Sequence, residues 1–583
     1  MMKFKDMPYE RIDFVQVKEQ LKKLMKKLEE AGSGEEQFAV HKEFYKLNDR
    51  VQTQVTLCSI RHTIDTTDEF YEKEQNYYDE QVPEYSNLCV EYQKRLFASP
   101  YRDVLEEKIG PVAFKNMEIA MKSVSEEVIP LMQEENALVT EYEKLLASAK
   151  IDWEGETLNL SLLTPYLKSK DPEVRRRAAQ KQNAFFDSIA DKLDELYDKL
   201  VKNRTEQAKT LGFETYTPLG YLRMQRNCYG RKEIENLRRQ VKEVWVPFAE
   251  ELFEKRRERL GLEHMTYTDE QVYGPEGNPQ PEGTPEEILA AGQEMYEELS
   301  PETKEFFDFM MENELLDVFG RKTKAVGGYM TYLPDYKAPF IFANFNGTSG
   351  DVDVMTHECG HAFQGYLAAE DPIREHADIG METAEIHSMS MEFFTEPWYH
   401  LFFGKEKTAD YTGMHLEDAV IFVPYGCMVD EFQHEVYDHP EMTPQQRKEV
   451  WKKLEKEYKP HMDYAGLDFF ERGCFWQKQH HIYSFPLYYI DYVIAQLCAF
   501  EYKIWMDKDR RGAWESYLKL CRISASEFHT DLLQQSGIES PFKDGNCGEF
   551  KRNCLKSFGQ KDICLCAKNT NARILPETVD KTS

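Results

Sequence analysis

Apolar positions recur every three or four residues through much of the chain. In "FVQVKEQLKKLMKKL", Phe14, Val17, Leu21, Leu24, Met25 and Leu28 fall on one face of a predicted helix. "AGSG" (31–34) ends it. The spacing returns in "FFDSIADKLDELYDKLV", at Phe186, Ile189, Leu193, Leu196, Tyr197 and Leu200. The Pro/Gly-dense "YGPEGNPQPEGTPEE" (273–287) reads as a loop. A helix should follow from Thr284, with Pro285 in its first turn and Glu287 completing a capping box. Residues 327–347, "GGYMTYLPDYKAPFIFANFNG", break the helical rhythm and predict two short strands, one of them around Phe340 to Phe345. They form the one convincing β-rich window, in a chain without a repeat of fixed period.

Composition narrows the class. The 583 residues are 41% hydrophobic and 30% charged, as expected of a soluble globular protein of about two to four domains. A net charge of -31 argues against a nucleic-acid partner, whose phosphates need basic patches. The N-terminal stretch has no apolar signal region, and no window nears ~18 uninterrupted apolar residues, so no membrane association is expected. Twelve Cys, most of them isolated, fit a reduced, cytoplasmic protein.

The candidate chemistry lies directly after the β-rich window, in "THECGHAFQGY" (356–366). Successive helical residues are ~100° apart, so His357 and His361 stand ~40° apart on one face, one turn from each other. Two imidazoles so placed can grip one Zn²⁺. Glu358, offset by one residue, flanks the metal where a general base for its water is needed. Cys359 is ~200° from His357 and points away. Upstream, Thr348 and Asp351 have the spacing of a capping box, with Asp in place of Glu or Gln. A catalytic zinc needs a third protein ligand. "GMETAEIHSMSMEFF" supplies Glu382, Glu385 and Glu392, with His387 nearby. Glu385 and Glu392 share a face, and spacing alone leaves Glu382 and Glu385 both open.

The HExxH motif, a gap of 23 residues and then "EIHSMSME" (385–392) resemble the thimet oligopeptidase and oligoendopeptidase F family of zinc metallopeptidases. "DVDVMTHECGHAF", "LGFETYTPLGYLRMQRNCY" (211–229) and "HHIYSFPLYYIDYVIAQLCAFEY" (480–502) carry the likeness further, the last especially toward the Pz-peptidase branch. The resemblance implies a mainly α fold of two helical lobes around a deep substrate channel, with a small β-sheet next to the HExxH helix. It implies an N-terminal helical lobe over 1–200 and a catalytic domain over 201–545. It implies one Zn²⁺ per chain on His357, His361 and Glu385, with Glu358 as general base. Tyr489 and Tyr492 would face the scissile peptide and help hold the oxyanion. A family histidine is matched by His480 on spacing and by His481 on the "H-x-Y" pattern with Tyr483; His481 is preferred. One family tyrosine between them has no clear match, because Phe485 and Pro486 occupy that window. The sheet edge offered to substrate would suit "KAPFIFANFNG".

The expected function is hydrolysis of internal bonds in short unstructured peptides by a zinc-bound water. The rivals are an exopeptidase on a similar scaffold and a non-catalytic helical peptide-binding protein with a structural metal. The tail over 546–583 departs from the family. It holds Cys547, Cys554, Cys564 and Cys566 and does not read as the final amphipathic helix the family would continue with.

Overall fold

The first long helix, α1 (Phe14–Glu30), buries the six apolar positions that its periodicity predicts. Asp13 caps it by accepting from the backbone N–H groups of Val15 and Gln16. Ser33 then caps α2 (Gly34–Ile64). These two helices and α3 (Glu69–Phe97) enclose an apolar core of their own, running from Ile12 to Met117. On α3 the buried Tyr78, Tyr85 and Tyr92 lie seven residues apart, two turns each, so one face carries all three. A second, much larger core extends from Phe4 to Ile538. The structure, a computed structural model, describes residues 2–545 except 322 and 326, together with Gly548. The tail with Cys547, Cys554, Cys564 and Cys566 lies outside the described residues.

The apolar run from Phe186 to Leu200 does not form one helix. The helix Pro172–Ser188 ends at Ile189 (φ -115, ψ 6), and a new helix spans Ala190–Thr210. Phe186, Leu193, Leu196, Tyr197 and Leu200 all enter the same core, so the pattern continues across a break in the backbone. The loop at 273–287 ends as expected: Thr284 caps the helix Pro285–Leu299 in a reciprocal capping box with Glu287.

A hairpin outside the β-rich window was not anticipated. Strands β1 (Ile151–Trp153) and β2 (Glu156–Leu158) pair antiparallel around Glu154 and Gly155, both at positive φ. Such two-residue turns match the twist of paired strands. Within the window, β4 (Tyr329–Leu333) and β5 (Ala338–Phe345) are the two expected strands. A third, β3 (Leu316–Phe319), precedes them and runs parallel to β5, giving the order β3-β5-β4. This overturns the choice of "KAPFIFANFNG" as the edge. β5 is hydrogen-bonded on both sides and is nearly all buried, so the edges are β3 and β4, the latter carrying Met330 and Thr331.

Behind this sheet come α4 (Ser349–Ala368), which carries the HExxH motif, and α5 (Met381–Phe394), which carries Glu385. They are followed by α6 (His400–Asp438), broken at Gly404, the short α7 (His480–Ser484) and α8 (Tyr489–Ile523). The N-terminal bundle clasps the connection from α4 to α5. Glu375 receives bonds from His41 Nε2 (2.8 Å) and the Tyr45 hydroxyl (2.5 Å). Arg374 reaches Asp49 (2.9 Å), and His376 donates to the Ile109 carbonyl (3.0 Å).

Candidate metal centre

Thr348 occupies the N-cap position of α4, but its side chain makes no capping bond, so the expected capping box is not formed. Asp351 turns back instead and accepts from the backbone N–H groups of Asn346 (2.9 Å) and Gly347 (2.6 Å), which ties the end of β5 to the start of the helix. One turn along α4, His357 and His361 point to the same side. Cys359 is buried on another face, with Sγ 3.7 Å from Met355 Sδ.

The sequence places a glycine between the histidines, and the packing explains it. A Cβ on Gly360 would lie 2.6 Å from both the His387 carbonyl oxygen and Ser388 Cα. Both are backbone atoms of α5, so neither can yield. Only a glycine allows α4 and α5 to cross this closely. The crossing brings Glu385 Oε2 to 3.3 Å from His357 Nε2 and 3.6 Å from His361 Nε2. The three donor atoms all lie within 4.8 Å of one another. Glu382 is not among them: it is buried elsewhere on α5, with Oε1 3.9 Å from His529 Nδ1, and burial raises its pKa. His387 is fully buried and also outside the group.

Each of these side chains has an outer partner. His357 Nδ1 donates to Glu392 Oε1 (2.7 Å), which leaves its Nε2 lone pair for a metal. Glu392 Oε2 accepts from His415 Nε2 (2.7 Å), on α6. Burial works against charge at Glu392, but the two histidines outweigh it and hold the carboxyl at about 2. Glu385 is held at about 2 in the same way, against burial, by His357 and His361. It also accepts from the Tyr488 hydroxyl (2.7 Å) and Ser388 Oγ (3.0 Å). Burial pushes Glu358 above the ordinary carboxylate range, a backbone N–H of Met330 on the edge strand partly offsetting it.

Across the site, α7 and the start of α8 form a wall of neutral donors. The His481 ring lies 5.6 Å from Tyr488, 4.9 Å from Tyr489 and 5.7 Å from Tyr492, and its Nε2 is 3.4 Å from the Tyr492 hydroxyl. His480 turns outward and packs on Tyr142, so of the two neighbours His481 is the one beside the tyrosines. A cavity of about 530 Å³ is lined by Asp353, Glu392, His415, His481, Tyr489 and Tyr492 among others. Burial holds His481 down at about 4, so it is a neutral imidazole near pH 7.

Three residues here escaped the sequence reading in whole or in part. Tyr488 sits in "PLYYIDY" beside two candidate tyrosines, and its bond to Glu385 links the wall to the metal side. Glu392 was legible only as a carboxylate sharing a face with Glu385; its role as the partner of His357 needed α4 and α5 packed together. Spacing gave no signal for His415, 23 residues further on.

Comparison with known proteins agrees with this architecture. Residues 4–124 match the Peptidase M3 N-terminal domain, and residues 291–552 match Peptidase family M3. A solved structure named as oligoendopeptidase F is 46% identical, with a TM-score of 0.92, over 97% of this chain and 100% of that one. Pz peptidase A, solved with an inhibitor, is 46% identical, with a TM-score of 0.91, over 94% and 98%. An oligoendopeptidase F structure from Bacillus anthracis str. Ames is 41% identical, with a TM-score of 0.87, over 95% and 98%. Comparison with curated protein sequences found no match. Among the described residues no helix is long and apolar enough to cross a membrane. A helical chain with HExxH packed against Glu385, alike over nearly its whole length to these enzymes, belongs to peptidase family M3 and is a metallopeptidase.

Proposed function

We propose that the chain is a zinc-dependent oligoendopeptidase that cuts internal bonds of short, unstructured peptides. One observation carries the reading: two imidazole nitrogens and one carboxylate oxygen, from His357, His361 and Glu385, converge within 4.8 Å. Such a set suits one Zn²⁺ and leaves a fourth coordination position open. When bound, zinc supplies a Lewis acid that polarises a carbonyl and lowers the pKa of water toward ~7.

The residues around it have distinct tasks. Glu358 takes the proton of the attacking water and passes it to the leaving amine. His481, Tyr489 and Tyr492, on the cavity wall, donate to the carbonyl oxygen as negative charge grows there. An extended peptide pairs with the free edge of β4, where its backbone groups find partners. The likeness to Pz peptidase A, named as a peptidase, supports a peptide substrate. The eight described cysteines form no disulfide, which supports a reducing, cytoplasmic setting. The charge of -31 disfavours nucleic acid as a partner.

The test uses a quenched peptide blocked at both ends. Cleavage at an internal bond, abolished by chelator and restored by Zn²⁺, is expected. Cleavage only after an end is unblocked would make the chain an exopeptidase. In Glu358→Gln the metal should stay bound while turnover falls about 10²–10⁴-fold. Normal turnover in that variant would remove Glu358 from the mechanism.

A further inference from the structure

His481 is neutral, so one ring nitrogen carries a proton and the other does not. Which one decides whether the ring can donate toward the cavity. Its Nδ1 lies 2.9 Å from the side-chain amide of Gln479, the residue just before α7. Its Nε2 faces the Tyr492 hydroxyl on the cavity side, at 3.4 Å.

The amide is itself oriented from behind. The Tyr425 hydroxyl, on α6, donates to Gln479 Oε1 at 2.8 Å. Burial raises the Tyr425 phenol far above its ordinary value, so its proton stays in place. With the amide turned over, the half-buried Tyr425 O–H would face an NH₂ group and lose its acceptor. That outcome is disfavoured, because a buried donor without a partner forfeits its full hydration. Oxygen toward Tyr425 therefore means NH₂ toward His481. An NH₂ group can only donate, so Nδ1 must be the unprotonated nitrogen.

We propose that Gln479, oriented by Tyr425, holds His481 as the tautomer protonated on Nε2, so that the imidazole presents a fixed N–H to the cavity. Gln479 and Tyr425 are then positioning residues, and His481 acts as a hydrogen-bond donor, not a base. The inference rests on the reading above in one respect: the catalytic value of that N–H depends on His481 facing the scissile carbonyl.

Gln479→Glu separates this from plain packing. It keeps the shape and replaces the donor by a carboxylate, which would draw the proton to Nδ1. The experiment is two-bond ¹H–¹⁵N spectroscopy of the full, zinc-loaded chain labelled with ¹⁵N-histidine, with the His481 signal assigned by its loss in His481→Asn. At neutral pH the unprotonated nitrogen should be Nδ1 in the natural protein. In Gln479→Glu, Nδ1 should become protonated, and kcat should fall up to about 10²-fold with KM nearly unchanged, the scale of one lost oxyanion donor. Tyr425→Phe, which only frees the amide to turn, should give a mixture of tautomers and a smaller fall.

A natural protein with the proton on Nδ1, or on both nitrogens, overturns the proposal without any variant. So does a Gln479→Glu spectrum unchanged from the natural one. Full activity of His481→Asn would instead overturn the oxyanion role of His481. The spectra would still decide the tautomer.

Discussion

The two sides of the candidate site are built differently. On the metal side, His357, His361, Glu385 and Glu392 come from one pair of crossing helices within 36 residues of sequence, and charge holds them together. On the opposite wall, His481 and the tyrosines are neutral, and distant residues set their positions. Gln433 accepts from the Leu487 N–H (2.9 Å). Arg226 donates to the Leu487 carbonyl (2.5 Å) and to Asp491 (3.0 Å). Leu487 itself is held at φ 67, unusual for a branched side chain. Only the Tyr488–Glu385 bond joins the two sides directly among the hydrogen bonds of these residues. On the metal side the buried charges are offset by immediate partners from the same pair of helices. The wall's own residues are neutral, and the buried Arg226–Asp491 pair that holds them is drawn from distant parts of the chain.

This contrast can be broken by mutation. The largest effect belongs to the metal side: Glu385→Ala should lose the bound metal and all measurable turnover. Tyr492→Phe should keep one metal per chain and lose about 10²-fold in kcat. Metal analysis beside turnover separates the two, and metal loss in Tyr492→Phe would erase the distinction between the sides.

Gly360→Ala should act next most strongly. It forces α4 from α5 and should lower stability by about 1–3 kcal/mol while weakening metal binding. A variant with natural melting temperature and natural metal affinity would show that the helices can part freely.

Glu392→Gln keeps the shape but withdraws charge from His357 and His415. Metal affinity should drop about 10–100-fold, read by competition with a chromophoric chelator. Unchanged affinity would mean that the metal side needs only its three ligands.

The smallest effect tests the clasp of the N-terminal bundle. Burial raises the Glu375 pKa, but His41 and Tyr45 outweigh it, and the net shift is downward. A carboxyl depressed by folding adds stability above its unfolded value, near 4.5, and that contribution fades as pH falls through the folded value. Glu375→Gln should therefore melt lower than the natural protein at pH 7, and the gap should narrow below pH 4.5. A gap that widens on acidification would reverse the sign of the linkage.

Much of this protein could be read along the chain. Periodicity located the buried face of α1, residue types located the capping box at Thr284, and the apolar run around Phe340 to Phe345 predicted a strand but not its buried, central place. HExxH was legible because helical spacing alone puts two imidazoles on one face; the same spacing left Glu382 and Glu385 both open, and only the family resemblance pointed to Glu385. What escaped was set by partners far apart in sequence. The break at Ile189 leaves the apolar pattern intact. The central place of β5 depends on β3, which pairs from the other side. The hairpin at Glu154 and Gly155 is a local exception, missed because it is short and lies in an otherwise helical region. The choice of His481 over His480 follows from which ring faces Tyr488, Tyr489 and Tyr492, and one residue of rotation decides that. Local spacing determined which residues could bind a metal. The crossing at Gly360 decided that they meet, and hydrogen bonds from Arg226, Gln433 and Gln479 decided what faces them, because those contacts exist only once the helices are packed.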